Sequence, residues 1–135
     1  MNIIQNFKYR NVIIKIMEPS KKACMIYSGG KNICIYPSEK TLNVIGKKYT
    51  LLIIALLGNE KYVKFNEILR NLGSPRANII SVRLKELESL GFVRKRILSN
   101  VRPISVEYAL TKDGRKLRKL ILPLLSWIEK KGLIN

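Results

Sequence analysis

The strongest constraint on this chain lies near its middle. Phe65-Asn-Glu-Ile-Leu-Arg-Asn-Leu72 is a short amphipathic helical pattern that stops at Gly73. Ser74 reads as the cap of a new helix, with Pro75 at its first position, where the missing proline N–H has no intrahelical partner to lose. That helix is expected over Pro75 to Leu90. Ile80, Leu84 and Leu87, at spacings of four and three, form its buried stripe, and Gly91 ends it. Two helices joined by a short glycine-containing turn form a helix-turn-helix.

The flanking segments narrow the fold further. Phe92 to Ile97 reads as a strand, Leu98 to Ile104 as a loop, and Ser105 to Leu110 alternates as a return strand. Upstream, Ser38 is the expected N-cap of a short helix with Glu39 in its first turn and an end at Gly46. Tyr49 to Leu57, closed by Gly58, is apolar nearly all round and is expected to be the buried central helix. Helix, helix, turn, helix and hairpin, in that order, make a winged helix. Thr111 caps a last helix reaching Lys131. Its apolar face holds Leu117, Leu120, Ile121, Leu124, Leu125 and Ile128, with Trp127 beside it and Pro123 inside as an expected kink. Residues 11–17 read as a strand and residues 22–36 as a hairpin around Ser28-Gly29-Gly30-Lys31. The expected class is α+β, mainly α: a winged helix-turn-helix over residues 37–131 with an added β-rich segment over residues 1–36.

Charge points to the partner. The chain carries 26 Lys+Arg against 9 Asp+Glu, a formal net charge of +17 on 135 residues. Such an excess calls for a polyanion: nucleic acid first, an anionic membrane surface second. Residues 1–48 hold 9 basic and 2 acidic side chains, residues 49–91 hold 6 and 4, and residues 92–135 hold 11 and 3. The surplus is therefore spread over both ends rather than gathered in a tail. The longest apolar run, Leu51 to Leu57, falls far short of the roughly 18–20 residues of a membrane span, and no secretory leader is evident at the N-terminus. The expectation is a cytoplasmic, nucleoid-associated protein with no membrane partner.

Enzymatic chemistry has little to work with. There is no His, and 2 Cys cannot complete a tetrahedral thiolate site. Ser28-Gly29-Gly30-Lys31 lacks the spacing of a phosphate-binding loop. No enzyme activity, cofactor or metal is expected.

Several ordered motifs carry a family resemblance. Val44-Ile-Gly-Lys-Lys-Tyr-Thr-Leu-Leu-Ile-Ile54 resembles the Gly-Lys-Trp-Thr-Leu-Leu-Ile signature of HxlR-type transcription regulators, which are related to the MarR type. Phe65-Asn-Glu-Ile68 resembles their Phe-Asn-Glu-Leu. Arg83-Leu-Lys-Glu-Leu-Glu88 followed by Gly91-Phe-Val93 resembles their Arg-Leu-x-x-Leu-Glu…Gly-Leu-Val. Val106-Glu-Tyr-Ala-Leu-Thr-Lys-Asp-Gly114 resembles their Val-Glu-Tyr-x-Leu-Thr-x-x-Gly. The match covers about residues 37–131. It implies a winged-helix regulator that binds double-stranded DNA as a homodimer. The wide apolar seam of the C-terminal helix 112–131 is the expected contact between subunits, together with the helix starting near Ser38. Two departures stand out. Tyr49 replaces the signature Trp, and Tyr36, not the Cys of many members, precedes Pro37.

The residues themselves suggest the contacts. With a helix in the major groove, Arg76 is placed for guanine, Asn78 for adenine, Ser81 for a base or phosphate and Lys85 for phosphate. Arg83, near the edge of the core stripe, is open between a backbone contact and an internal ion pair. The wing offers Arg94, Arg96, Asn100 and Arg102; alternation puts Arg94 and Arg96 on the face opposite Val93, Lys95 and Ile97, and Arg102 suits a narrow minor groove. The plainer account is a solvated helix face and a charged edge strand, which suits Lys95 better than Arg102. The basic residues of the last helix, Lys112, Arg115, Lys116, Arg118 and Lys119, read as a solvated face. Cys24 and Cys34 are candidate redox residues. A two-residue turn puts Met25 opposite Cys34, whereas a three-residue loop puts Cys24 there; two buried, apolar cysteines is the ordinary outcome. The reading favoured is a sequence-specific regulator with helix 75–90 in the major groove and wing 93–110 on the minor groove. The alternative is a non-specific architectural DNA-coating protein.

Overall fold

The structure is a computed structural model, and it describes residues 25–34 and 39–132. The chain divides into two compact units, Met1–Leu42 and Asn43–Asn135. The predicted strand over residues 11–17, the Ser38 cap and Cys24 lie outside the described residues.

In the first unit, strands β1 (Met25–Ser28) and β2 (Lys31–Cys34) form an antiparallel hairpin. Gly29 and Gly30 have φ of +56° and +72°. A two-residue hairpin turn needs this left-handed pair, which glycine adopts without a Cβ clash. Ser28 consequently faces Lys31, and Met25 faces Cys34. This is the register of the two-residue turn rather than the one that would set Cys24 against Cys34. Cys34 is exposed, contrary to the burial expected for it. Helix α1 (Glu39–Ile45) crosses the division between the units and has no buried residue.

The second unit contains α2 (Thr50–Leu57), β3 (Val63–Lys64), α3 (Phe65–Asn71), α4 (Ala77–Ser89), β4 (Val93–Leu98), β5 (Ser105–Leu110) and α5 (Lys112–Lys130). The sheet order is β3-β5-β4, all antiparallel. This is the expected winged helix, with one addition. The two-residue β3 is too short to leave a periodic signal. Ile53, Ile54 and Leu57 of α2, Ile68 of α3, Ile80, Leu84 and Leu87 of α4, and Val93, Tyr108 and Leu110 of the sheet form a single core. Helix α2 is central as expected, except that Leu52 is exposed. Tyr49, at the signature Trp position, packs half-buried against this core with φ +74°.

The turn of the helix-turn-helix differs from the expectation. Ser74 does not cap α4, and Pro75 is not its first residue; the N-cap is Arg76, with extended backbone at ψ 127°. The Ser74 N–H donates to the Leu69 carbonyl (2.7 Å) and the Gly73 N–H to that of Arg70 (3.1 Å). That pair of bonds, with Gly73 at φ +81°, closes the C-terminus of α3. Ser74 itself is left-handed, at φ +57°, and so lacks the extended backbone of an N-cap. The same closure ends α4: Phe92 N–H reaches the Leu87 carbonyl, Gly91 N–H reaches that of Glu88, and Gly91 has φ +80°.

Helix α5 is seated by Thr111. Its hydroxyl accepts from the Gly114 N–H (3.1 Å) and donates to the Gly91 carbonyl, while its own N–H donates to the Phe92 carbonyl. The last helix's basic residues are not all solvated. Arg118 donates from Nε to the Ala55 carbonyl (2.9 Å) near the end of α2 and from Nη2 to Asn59 Oδ1 (3.0 Å), while Arg115 donates to the Leu110 carbonyl. The broad apolar face of α5 also divides. Ile121 is buried and Leu117 packs on the core, whereas Leu120, Leu124 and Trp127 are exposed.

A Cβ on Gly114 would collide with the Phe92 carbonyl oxygen. Alanine gains up to about 1 kcal/mol over glycine inside a helix, but overpacking against fixed backbone costs about 1–3 kcal/mol or more. Gly114→Ala is therefore expected to lower the midpoint of thermal unfolding followed by circular dichroism. A midpoint equal to or above that of the parent would contradict this packing.

Candidate nucleic-acid interface

With Ile80, Leu84 and Leu87 turned inward, the opposite face of α4 is set by the 100° helical step. Arg76, Asn78, Ser81 and Lys85 are all exposed, as is Val82. Asn78 Oδ1 accepts from the Ile79 N–H (3.0 Å) in the first turn, where helix donors lack intrahelical partners. An amide oxygen has two lone pairs, so this bond leaves one for a ligand.

Arg83 is placed differently. Its side chain is 19% exposed; Nη1 pairs with Glu86 Oε2 at 3.2 Å and Nε donates to the Lys48 carbonyl at 3.3 Å. Of the two roles open to it, the free protein contains the internal ion pair. Lys47 Nζ sits 2.7 Å from Glu86 Oε1. Glu86 thus ties the turn between α1 and α2 to the middle of α4.

The wing residues also separate. Lys95 and Arg102 line a cleft of about 700 Å3, together with Ser81 of α4 and Lys64 and Asn66 at the start of α3. Lys64, Lys95 and Arg102 give it three cations and Glu107 one carboxylate. Arg94 and Arg96 do not line it. Their guanidinium carbons lie 5.5 and 3.6 Å from the Tyr62 ring centroid, and Arg96 is bound to Glu107. Asn100 and Arg102 are exposed on the loop between β4 and β5.

Sequence alone favours a charged edge strand for Lys95 and does not mark Lys64. The signal for Lys95 was available. It shares its strand face with Val93, which points into the core, so it faces the α4 side of the sheet. Lys64 depended on β3, which has no signature. Among the described residues no three His, Cys, Asp or Glu side chains are grouped to hold a metal, and no helix is long and apolar enough to cross a membrane.

Comparisons with known proteins agree with this architecture. Residues 44–133 match the family model described as HxlR-like helix-turn-helix. The HTH-type transcriptional regulator BH0655 of Halalkalibacterium halodurans is 36% identical over 97 residues, covering 72% of this chain and 85% of its own. An HTH-type transcriptional regulator of Methanothermobacter thermautotrophicus is 31% identical over 104 residues, covering 75% and 78%. The crystal structure of a possible HxlR family transcriptional factor from Thermoplasma volcanium superposes with a TM-score of 0.72 at 37% identity, covering 82% of this chain and 97% of that one.

The Glu86 tether carries a pH signature. Its carboxyl is held below the ordinary value of 4.5, first by the hydrogen bond from Lys47; partial burial opposes this, and the charges of Lys47 and Arg83 reinforce it. A depressed folded-state pKa contributes stability that is present above the unfolded value and is lost as pH falls through the folded one. Glu86→Gln is expected to melt below the parent near neutral pH, and the gap should close as both are taken to about pH 3. A gap independent of pH would show that the tether is not ionic.

Proposed function

Since the chain belongs to the HxlR-like helix-turn-helix family, we propose that it is a sequence-specific transcription regulator that binds double-stranded DNA as a homodimer. In this reading α4 lies in the major groove and the wing lies on the adjacent minor groove. The observation that carries it is the shared cleft: Ser81 of the recognition helix, Lys95 and Arg102 of the wing, and Lys64 and Asn66 line one basic concavity. A winged helix that clasps a sugar–phosphate strand between helix and wing needs cations at that place.

The contacts then divide by kind. Arg76 and Asn78, at the open end of α4, are the base readers, with Arg76 suited to guanine and Asn78 to adenine. Ser81, Lys85, Lys64 and Lys95 hold phosphates, and Arg102 enters the minor groove with Asn100 beside it. Arg83 acts through its hold on Glu86 and Lys48.

The dimer supplies two such surfaces, as a two-fold operator requires. Leu120, Leu124 and Trp127, spaced four and three apart on the outer half of α5, are 75%, 47% and 54% exposed. A row of large apolar side chains on one helix face favours burial against another subunit. In α1, Leu42 is exposed as well. These two helices are the proposed contact between copies.

Two outcomes test this account. In fluorescence anisotropy titrations across a salt series, Arg102→Ala and Lys95→Ala should each make the slope of log affinity against log salt shallower by about 0.9. Unchanged slopes in both folded variants would remove the cleft from the interface. Leu120→Glu with Leu124→Glu should yield a folded monomer by sedimentation velocity, with operator affinity reduced. A double variant that stays dimeric would place the contact elsewhere.

A further inference from the structure

The wing has a second cluster, centred on Glu107 of the central strand, whose carboxylate also borders the cleft. Glu107 is a buried carboxylate on the central strand, with its side chain 11% exposed. A carboxylate so far out of water needs a cation or it is strongly destabilising. Arg96 supplies one, donating from Nε (3.2 Å) and from Nη2 to the same oxygen, Oε2. The guanidinium is also stacked 3.6 Å from the centroid of Tyr62, the residue immediately before β3.

Register explains why these three meet. Arg96 on β4 faces Glu107 on β5, and Glu107 faces Lys64 on β3. Tyr62 stands two residues before Lys64 and so shares its face. One side chain from an edge strand therefore crosses the central strand and reaches the root of the other edge. The long β4–β5 hairpin otherwise joins β3 through only two residue pairs.

We propose that Arg96, Glu107 and Tyr62 form a brace that fixes the wing hairpin to β3 and so to the start of α3, and that Arg96 is a positioning residue whose charge is not used on DNA. The proposal rests on the DNA-binding reading and refines it. Swinging Arg96 to a phosphate would strip Glu107 of its cation and leave a bare carboxylate beside the cleft that DNA is to enter. Lysine cannot replace it, because an ammonium has neither the planar face for the tyrosine nor the fork for the carboxylate.

The test uses the full chain and two folded variants, Arg96→Lys and Arg96→Gln, with a duplex from immediately upstream of the protein's own gene. Both variants should bind of the order of tenfold more weakly, the loss of one stacked and paired guanidinium, and alike, with the parent's salt slope. A shallower slope by about 0.9 in Arg96→Gln, with Arg96→Lys close to the parent, would overturn the proposal by making Arg96 a phosphate contact. Hydrogen exchange on the DNA-free protein supplies an independent reading. Amides of residues 95–98 and 105–107 should exchange faster in both variants, and also in Tyr62→Leu, while those of α2 stay unchanged. Unchanged wing exchange would refute the brace, whereas a parent protein that binds no duplex would refute the DNA reading and leave the exchange result to decide the brace.

Discussion

The interface depends on one packing relation: Ile80, Leu84 and Leu87 of α4 are fully buried in the core built around Ile53, Ile54 and Leu57 of α2. Each buried aliphatic side chain contributes about 1.5–3 kcal/mol relative to exposure, so α4 cannot rotate about its axis without losing several of them. The outward positions of Asn78, Ser81 and Lys85 follow from this lock. Glu86 adds a second hold by gripping Lys47 and Arg83 at once. The two glycine closures at Gly73 and Gly91 then fix where the helix begins relative to α3 and where the chain turns into the wing.

A strongly basic surface needs its cations sorted as well as supplied. Two carboxylates do much of the sorting around the proposed interface. Glu86 keeps Arg83 against the body of the protein, and Glu107 keeps Arg96 off the cleft lining. What remains toward the cleft is Lys64, Lys95 and Arg102 on its lining, with Arg76 and Lys85 exposed on α4. Counting basic residues alone would rank Arg83, Arg94 and Arg96 with the others, although their partners set them apart.

The helical stripe, the glycine stops, the Ser28–Lys31 turn and the Thr111 cap were all legible in the sequence, because each is a local pattern with a local physical cause; the register of that hairpin was left open between two turn lengths and is decided by the structure. The start of α4 was misplaced by two residues because Ser74-Pro75 is also a good cap signal. The closure of α3 leaves Ser74 with a left-handed backbone that cannot serve as that cap. The wide apolar face of α5 was visible, but its division between Ile121 inside and Leu120 outside needed the rest of the core to be present. Long-range pairs were the least legible. The stack of Arg96 on Tyr62 and the reach of Arg118 to Ala55 join segments far apart in the chain, and no spacing rule connects them.

The most direct measurement of the central claim is fluorescence anisotropy with two duplexes of equal length, one from immediately upstream of the protein's own gene and one with the same bases scrambled, each across a salt series. A site-specific regulator should prefer the upstream duplex by about 10³ or more, with a steep salt slope on both. Equal affinity for the two, at any salt, would contradict sequence-specific recognition of that region and favour a protein that coats DNA through its charge.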